Sequence, residues 1–267
     1  MFKFSENEAL DLYAKIKIIG VGDFGAKIVN YSIEKVLLNA KFSVVATKNE
    51  TLLKSSAPQR VKVDDTISEE SKRIFSELLA DVDLLFIFTD LTDENISVQI
   101  AELSKDILTV AIVPESAPNK EKFQKSVDTL ISVEDDNIFL MYSVVRCITS
   151  LVGEPGLVGL DFADVKEVLL NNGRGYVGYG KAGGKTPAID AMKNAMNPLK
   201  NILGESKHLL IGIFGSCENF SMMEVNESTT ILEETVHPDA EIVWGVTPDE
   251  TNTDYIEVIV ISLGLEK

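Results

Sequence analysis

The chain has 267 residues, 45 % hydrophobic and 25 % charged, enough to bury a sizeable core in one or two domains. Its 42 acidic against 25 basic residues leave a formal net charge of -17. That balance argues against a nucleic-acid surface and against electrostatic docking on an anionic membrane, since both depend on Lys and Arg. Cys147 and Cys217 are the only cysteines, both in apolar stretches, so no disulfide framework is expected and a reducing compartment fits. No apolar run approaches the length of a bilayer span, and the opening "MFKFSENEALDLYAK" carries acids where a signal peptide needs an apolar core. A cytoplasmic protein is expected.

In chain order, the first segment, with Phe2, Phe4 and Leu10, reads as a surface helix or frayed end. It lacks the basic face of a lipid-binding helix. Short β-branched runs then alternate with helical patterns. Strands are predicted at 15–19, 42–46, 84–88, 108–113 and 129–133, with helices at 26–39, 68–79 and 94–105. Such alternation builds a parallel sheet covered by helices. "NIFLMYSVVRCITSLV" is apolar on most sides and predicts a buried helix between two packed units, ended by the breaker "GEPG". After it come a strand near 175–179, a helix at 187–203, a strand at 209–214, a helix near 223–236 and strands at 241–246 and 255–263, which read as a second α/β unit. The expected class is therefore α/β: a doubly wound parallel sheet over residues 1–136, a long central helix over 137–153 and a C-terminal α/β domain over 154–267.

"GVGDFG" at residues 20–25 has G-x-G-x-x-G spacing between strand and helix. The spacing alone is weak evidence for a phosphate site, because the same glycines let a helix pack close to a sheet. A dinucleotide site also needs an acid at the end of the second strand, where "VVATKNE" offers Ala46, Thr47 and Lys48. "GYGKAGGKT" misses the phosphate-loop pattern at Tyr179 and reads as a turn leading to an N-cap at Thr186 and a helix starting at Pro187. His208 and His237 have no ligand-spaced companions. "GSCENF" is no nucleophile elbow, and Cys217 reads as a small buried hydrophobe.

"KIKIIGVGDFGAKIVN" and "PGLVGLDFADVKEVLLNNGRGYVGYG" resemble FtsZ, the bacterial and archaeal member of the tubulin superfamily. "DLLFIF", "LTVAIVPE", "VDTLISV", "MMEVNESTTILEE" and "HPDAEIVWGVTPDE…DYIEVIVISLG" extend the similarity over nearly the whole chain. The resemblance implies a GTPase-type N-terminal domain, a central helix and a C-terminal α/β domain. It also implies filaments in which GTP, held with Mg2+ by two glycine-rich loops, is hydrolysed when the next subunit inserts two aspartates from the loop after the central helix.

Those loops are altered here. Of the family's "GVGGGGGN", Gly20, Gly22 and Gly25 remain, with Asp23 and Phe24 between them and Ala26 and Lys27 after. The family's "GGGTGTG" is matched by "FTDLTDENISV", which has no glycine but carries Asp90, Thr92, Asp93 and Glu94. The base-reading positions fall near Asn137, Ile138 and Phe139. An acid ~4 Å from a phosphate charge costs about 4 kcal/mol at an effective dielectric of 20, roughly a thousandfold in affinity. Thr92 or Asp93 is also expected to cap the following helix, with Glu94 complementing its dipole. On this reading Gly20, Gly22, Gly25 and Thr92 are vestiges of the nucleotide loops, with no resident cofactor or metal. The alternatives are bound GTP with Mg2+, or a divalent cation held by the acids.

"GLVGLDFADV" keeps Asp161 and Asp164 at the family's spacing, with Gly159 where the family has asparagine. They would act in trans at a neighbour's pocket, although the same spacing is that of an N-cap and its N3 partner. The expectation is an FtsZ-like assembly subunit without its own GTPase activity, contacting itself or another FtsZ-type subunit longitudinally. The rivals are a functioning GTPase and a monomeric binding module. The family's adaptor-binding tail has no counterpart after "LGLEK", so any membrane role is expected to run through a partner, with no direct membrane contact and no nucleic acid.

Overall fold

Ile16–Val21 (β1) is buried at every position and lies between two parallel neighbours, Ala40–Ala46 (β2) and Leu84–Phe88 (β4). Unbroken apolar runs of this kind suit parallel strands covered on both faces. The computed structural model describes residues 14–37, 40–64, 68–153, 156–216, 218, 221–249, 251 and 254–265. The readings made for Phe2, Phe4, Leu10 and Cys217, and for the middle of the "GEPG" breaker, lie outside these residues.

The strands form one ten-stranded sheet in the order β3-β2-β1-β4-β5-β6-β7-β10-β8-β9. Gln59–Lys62 (β3), Leu108–Pro114 (β5) and Thr129–Val133 (β6) complete the parallel first half. Gly173–Ala182 (β7) pairs in parallel with β6, which makes the hydrogen-bonded ladder continuous between the two halves. Beyond it, Ile256–Leu263 (β10) runs antiparallel to β7 and to His208–Gly215 (β8), and Glu241–Pro248 (β9) lies parallel to β8 at the edge.

Helices cover the sheet. In the first half they are Gly22–Glu34 (α1), Asn49–Lys54 (α2), Glu69–Leu79 (α3), Glu94–Leu103 (α4) and Lys120–Phe123 (α5). Ile138–Gly153 (α6) is the central helix, and Phe162–Leu169 (α7), Pro187–Met196 (α8) and Met222–Glu233 (α9) follow. The short elements α2, α5 and β3 escaped the sequence reading because four to six residues carry no measurable periodicity. The central helix is the expected buried one, with Met141, Val144, Val145, Cys147 and Ile148 fully covered. Burial pushes the Cys147 thiol up to about 12, so it behaves as a hydrophobe. No helix among the described residues is long and apolar enough to cross a membrane.

The start of α8 differs from expectation. Thr186 holds the N-cap position of α8, but its hydroxyl donates to Asp190 at 3.1 Å. Glu224 of α9 covers that end instead, accepting from the amides of Ala188 at 2.6 Å and Ile189 at 3.3 Å.

The chain leaves β1 toward β2 on one side, and β4 flanks it on the other. A crevice therefore opens past the carboxyl ends of these strands, the usual ligand position in a doubly wound sheet. The central helix starts just after β6 at that edge. Its 16 residues span about 24 Å at ~1.5 Å per residue, which separates its start from the Asp161 loop that follows it.

Candidate functional site

Two loops border the crevice. The first passes from Val21 directly into α1, with no side chain capping the helix. Gly22 turns the chain at φ +67°, a conformation that a side chain disfavours. Gly20 and Gly25 let α1 approach the sheet: a Cβ on Gly20 would stand 2.4 Å from the Gly25 carbonyl oxygen, and one on Gly25 2.5 Å from that of Phe88. The glycine spacing thus has a packing function here whatever the crevice binds. Phe24 packs, half-buried, against the core.

Asp23 does not stand as an isolated charge. Its carboxylate accepts a hydrogen bond from the Thr51 hydroxyl and lies 3.2 Å from the Lys48 ammonium. The Thr51 bond, then the Lys48 bond, hold the Asp23 carboxyl below its ordinary value, so it is ionised at neutral pH. At the other end of α2, Asn30 of α1 donates to the Lys54 carbonyl at 3.1 Å and accepts from the Ser56 amide at 2.7 Å. Lys54 also pairs with Glu50 at 2.7 Å.

The second loop follows β4. The hydroxyls of Thr89 and Ser97 share a buried hydrogen bond of 2.8 Å, and Asp90 accepts from both the amide and the hydroxyl of Thr92, at 3.0 and 2.6 Å. Asp93 is the N-cap residue of α4, but no side chain caps this helix, which corrects the expectation that Thr92 or Asp93 would do so. The Thr92 hydroxyl is engaged by Asp90 instead. Glu94 sits in the first turn as expected, yet its carboxylate is held below its ordinary value by Lys122 at 2.8 Å, then by Asn119 at 2.8 Å. The Asp93 carboxylate oxygen is 2.7 Å from where a Cβ on Gly22 would be, which brings the two loops together.

Two cavities open here. One of about 610 Å³ is bordered by Phe24, Lys27, Asn30, Glu50 and Lys54, and one of about 290 Å³ by Gly22, Thr47, Thr92 and Asp93. Asp23, Lys48, Thr51 and Asp90 line both. The lining is of mixed charge rather than purely acidic, because Lys27, Lys48 and Lys54 interleave with the carboxylates. No group of three His, Cys, Asp or Glu side chains among the described residues is placed to hold a metal ion. The cation alternative therefore lacks a ligand set among these residues.

The remaining positions lie elsewhere. Asn137 caps the central helix, accepting from the Leu140 amide at 3.0 Å. Phe139 packs edge-on against Tyr179, centroids 4.8 Å apart, and faces a second cleft of about 520 Å³ beside Arg146. Asp161 and Asp164 form a capping box at the start of α7: Asp161 accepts from the Ala163 amide, and its own amide donates to Asp164 at 3.4 Å. Both are exposed, and the preceding loop is fastened to β9 by Leu157 N–H to the Val246 carbonyl at 2.8 Å. His208 meets Glu241 at 3.1 Å, and His237 accepts from the Asp239 amide at 3.1 Å.

Residues 173–266 match the family model described as "FtsZ family, C-terminal domain". "Cell division protein FtsZ" of Magnetospirillum gryphiswaldense is 29% identical over 99% of this chain and 57% of its own length. "Cell division protein FtsZ 1" of Thermococcus kodakarensis is 26% identical over 95% and 82%. The FtsZ of Rhizobium radiobacter is 29% identical over 96% and 53%. The chain thus spans little more than half the length of the two bacterial relatives. Among solved structures, a point variant of M. jannaschii FtsZ superposes with a TM-score of 0.87 at 22% identity, covering 97% of this chain and 93% of that one. An empty M. jannaschii FtsZ dimer gives 0.82 at 23% identity, covering 98% and 93%. CetZ from Methanosaeta thermophila gives 0.69 at 20% identity, covering 95% and 87%. At these identities the superpositions establish a shared fold.

Proposed function

We propose that this FtsZ-like protein of the tubulin superfamily is a cytoskeletal assembly subunit of the cell-division type whose own crevice does not hold GTP tightly. The observation that carries the reading is the ionised Asp23 carboxylate inside the first glycine loop, bonded to Thr51 and Lys48. It stands where an anionic ligand would have to approach, and Asp93 presses on Gly22 from the facing loop. A carboxylate ~4 Å from a phosphate charge opposes it by about 4 kcal/mol at an effective dielectric of 20, a penalty that Lys48 offsets only in part at Asp23.

The partner in this reading is a second copy or another FtsZ-type subunit. The crevice and the Asp161/Asp164 loop are different surfaces that flank the two ends of the central helix, so a contact between them is head-to-tail and generates an open filament where its rotation does not close. The M. jannaschii FtsZ solved as a dimer supports self-association as the mode. The division into residues 1–136, 137–153 and 154–267, and a cytoplasmic location without direct membrane contact, form part of the same proposal.

Calorimetric titration with GTP and Mg2+ tests it. The expected result is no heat of binding at micromolar nucleotide; a micromolar Kd refutes the closed crevice. Co-sedimentation with an active FtsZ-type subunit tests the assembly role, and unchanged pellet mass, filament length and GTP turnover count against it. One observation favours a second reading, a functioning GTPase: Lys27, Lys48 and Lys54 line the larger cavity and would offset part of the acid charge. The same titration separates the two.

A further inference from the structure

Resting on the closed-crevice reading, one contact assigns a specific device to the site. We propose that Asp23 is an autoinhibitory strap: an anion built into the chain that engages Lys48 and Thr51 and, by pinning α2 to α1, divides the crevice in two.

Three observations converge on it. The Thr51 hydroxyl and the Lys48 ammonium both point at one carboxylate, the arrangement of donors that receives an anionic ligand, with the anion supplied from the first turn of α1. Asp23, Lys48 and Thr51 are common, with Asp90, to the linings of the 610 Å³ and 290 Å³ cavities, so the contact lies where the two adjoin. Asn30 fixes the other end of α2 to α1 through the Lys54 carbonyl and the Ser56 amide, so Asp23 closes a bracket already anchored at its far side.

The strap is also weak enough to open. The Asp23 and Lys48 side chains are 65% and 71% exposed, and an ion pair in that setting is screened by water and salt. Breaking it turns the carboxylate away from Lys48 and Thr51, frees an ammonium and a hydroxyl, and joins the two cavities. The ligand chemistry that this opening suits is a polyphosphate.

The test compares the wild-type chain with Asp23→Ala and with Asp23→Ala/Lys48→Ala, titrated separately with inorganic tripolyphosphate and with GTP, each with Mg2+. Asp23→Ala is expected to bind tripolyphosphate at least about tenfold tighter than wild type, and the double variant to lose that gain. Amide exchange across residues 49–54 is expected to quicken in Asp23→Ala. A folded Asp23→Ala protein, judged by an unchanged circular dichroism spectrum, that neither gains affinity nor exchanges faster overturns the strap and leaves the closed crevice standing. Micromolar GTP binding by the wild type overturns the closed crevice itself. A gain of GTP affinity without a gain for tripolyphosphate overturns the assignment of Lys48 and Thr51 as the released phosphate donors.

Discussion

Arg146 of the central helix donates through Nη1 to Glu257 Oε2 at 2.6 Å, joining residues 111 positions apart in the chain. Its Nη2 reaches Asp249 Oδ2 at 2.6 Å, and the guanidinium lies 4.3 Å from the centre of the Phe214 ring. The other Glu257 oxygen accepts from the Tyr179 hydroxyl at 2.7 Å, and burial, then this bond, push the Tyr179 hydroxyl above its ordinary value. An aromatic and carboxylate cage that would suit a foreign cation is thus filled by the chain's own arginine. It fastens the central helix to β10, to the end of β8 and to the residue that follows β9.

Arg146→Met removes the cation and leaves Glu257, 9% exposed, with a buried charge deprived of its main partner. A loss of about 3–5 kcal/mol is expected, visible as a lower thermal midpoint. Adding Glu257→Gln is expected to recover much of that loss. A double variant no more stable than the single one would show that packing, rather than stranded charge, sets the cost.

Lys17 presents the opposite case. It is 2% exposed in the centre of the sheet, with Gln59 as its hydrogen-bond partner and Lys41 in register on β2. Burial, then Lys41, lower its ammonium from 10.5 to about 8. Below pH 8 both the folded and the unfolded chain carry the proton, and folding bears the full penalty. Between pH 8 and 10.5 the unfolded chain binds more protons, so stability rises with pH through that window. Lys17→Met is expected to abolish this rise and to be neutral or stabilising at pH 7, by about 3 kcal/mol at most. Gln59 keeps the Ser43 hydroxyl as a donor in the variant. Urea titrations at pH 7 and pH 10 measure both effects.

Asp161 has a structural role and a proposed assembly role, and two substitutions separate them. Asp161→Ala loses the cap of α7 and is expected to cost about 0.5–2 kcal/mol. Asp161→Asn keeps a competent cap and removes only the charge. If the carboxylate acts on a neighbouring subunit, Asp161→Asn leaves the melting temperature near wild type while reducing its effect on a partner's GTP turnover. Unchanged turnover confines Asp161 to capping.

Gly25→Ala places a methyl group against the Phe88 carbonyl oxygen and the backbone of Gly20, where neither neighbour is a flexible side chain. A destabilisation of about 1–3 kcal/mol is expected with no ligand present. Stability equal to wild type would mean that the glycine spacing serves something other than helix-to-sheet approach.

Much of the fold was legible because its signals are local. The unbroken runs of β1, β4 and β5 announce covered parallel strands, and the all-round apolar pattern of residues 138–153 announces a helix packed on several sides. The joining of the two halves into one ladder was not legible, since the pairing of Thr129 with Gly173 has no local signature. At the site, the glycines and acids could be located from the sequence, but not what engages them. "ATKNETLLK" gives no periodicity long enough to announce α2, so Thr51 and Lys48 could not be placed against Asp23. Arg146 did carry a signal, a charge on the apolar helix "MYSVVRCITS", which calls for a buried partner without saying which.

The sequence by itself determined the strands other than β3, the central helix, the close approach of Gly20 and Gly25, and the capping spacing of Asp161 and Asp164. Each of these depends on backbone geometry and neighbours within a few residues. Only the tertiary structure decided that Asp23 is held by Thr51 and Lys48, that Glu94 turns to Asn119 and Lys122, and that Arg146 closes on Asp249 and Glu257. A carboxylate's charge is written in its residue type, but its energy is set by the donors and the dielectric around it, which chain folding brings from 25 to 111 residues away.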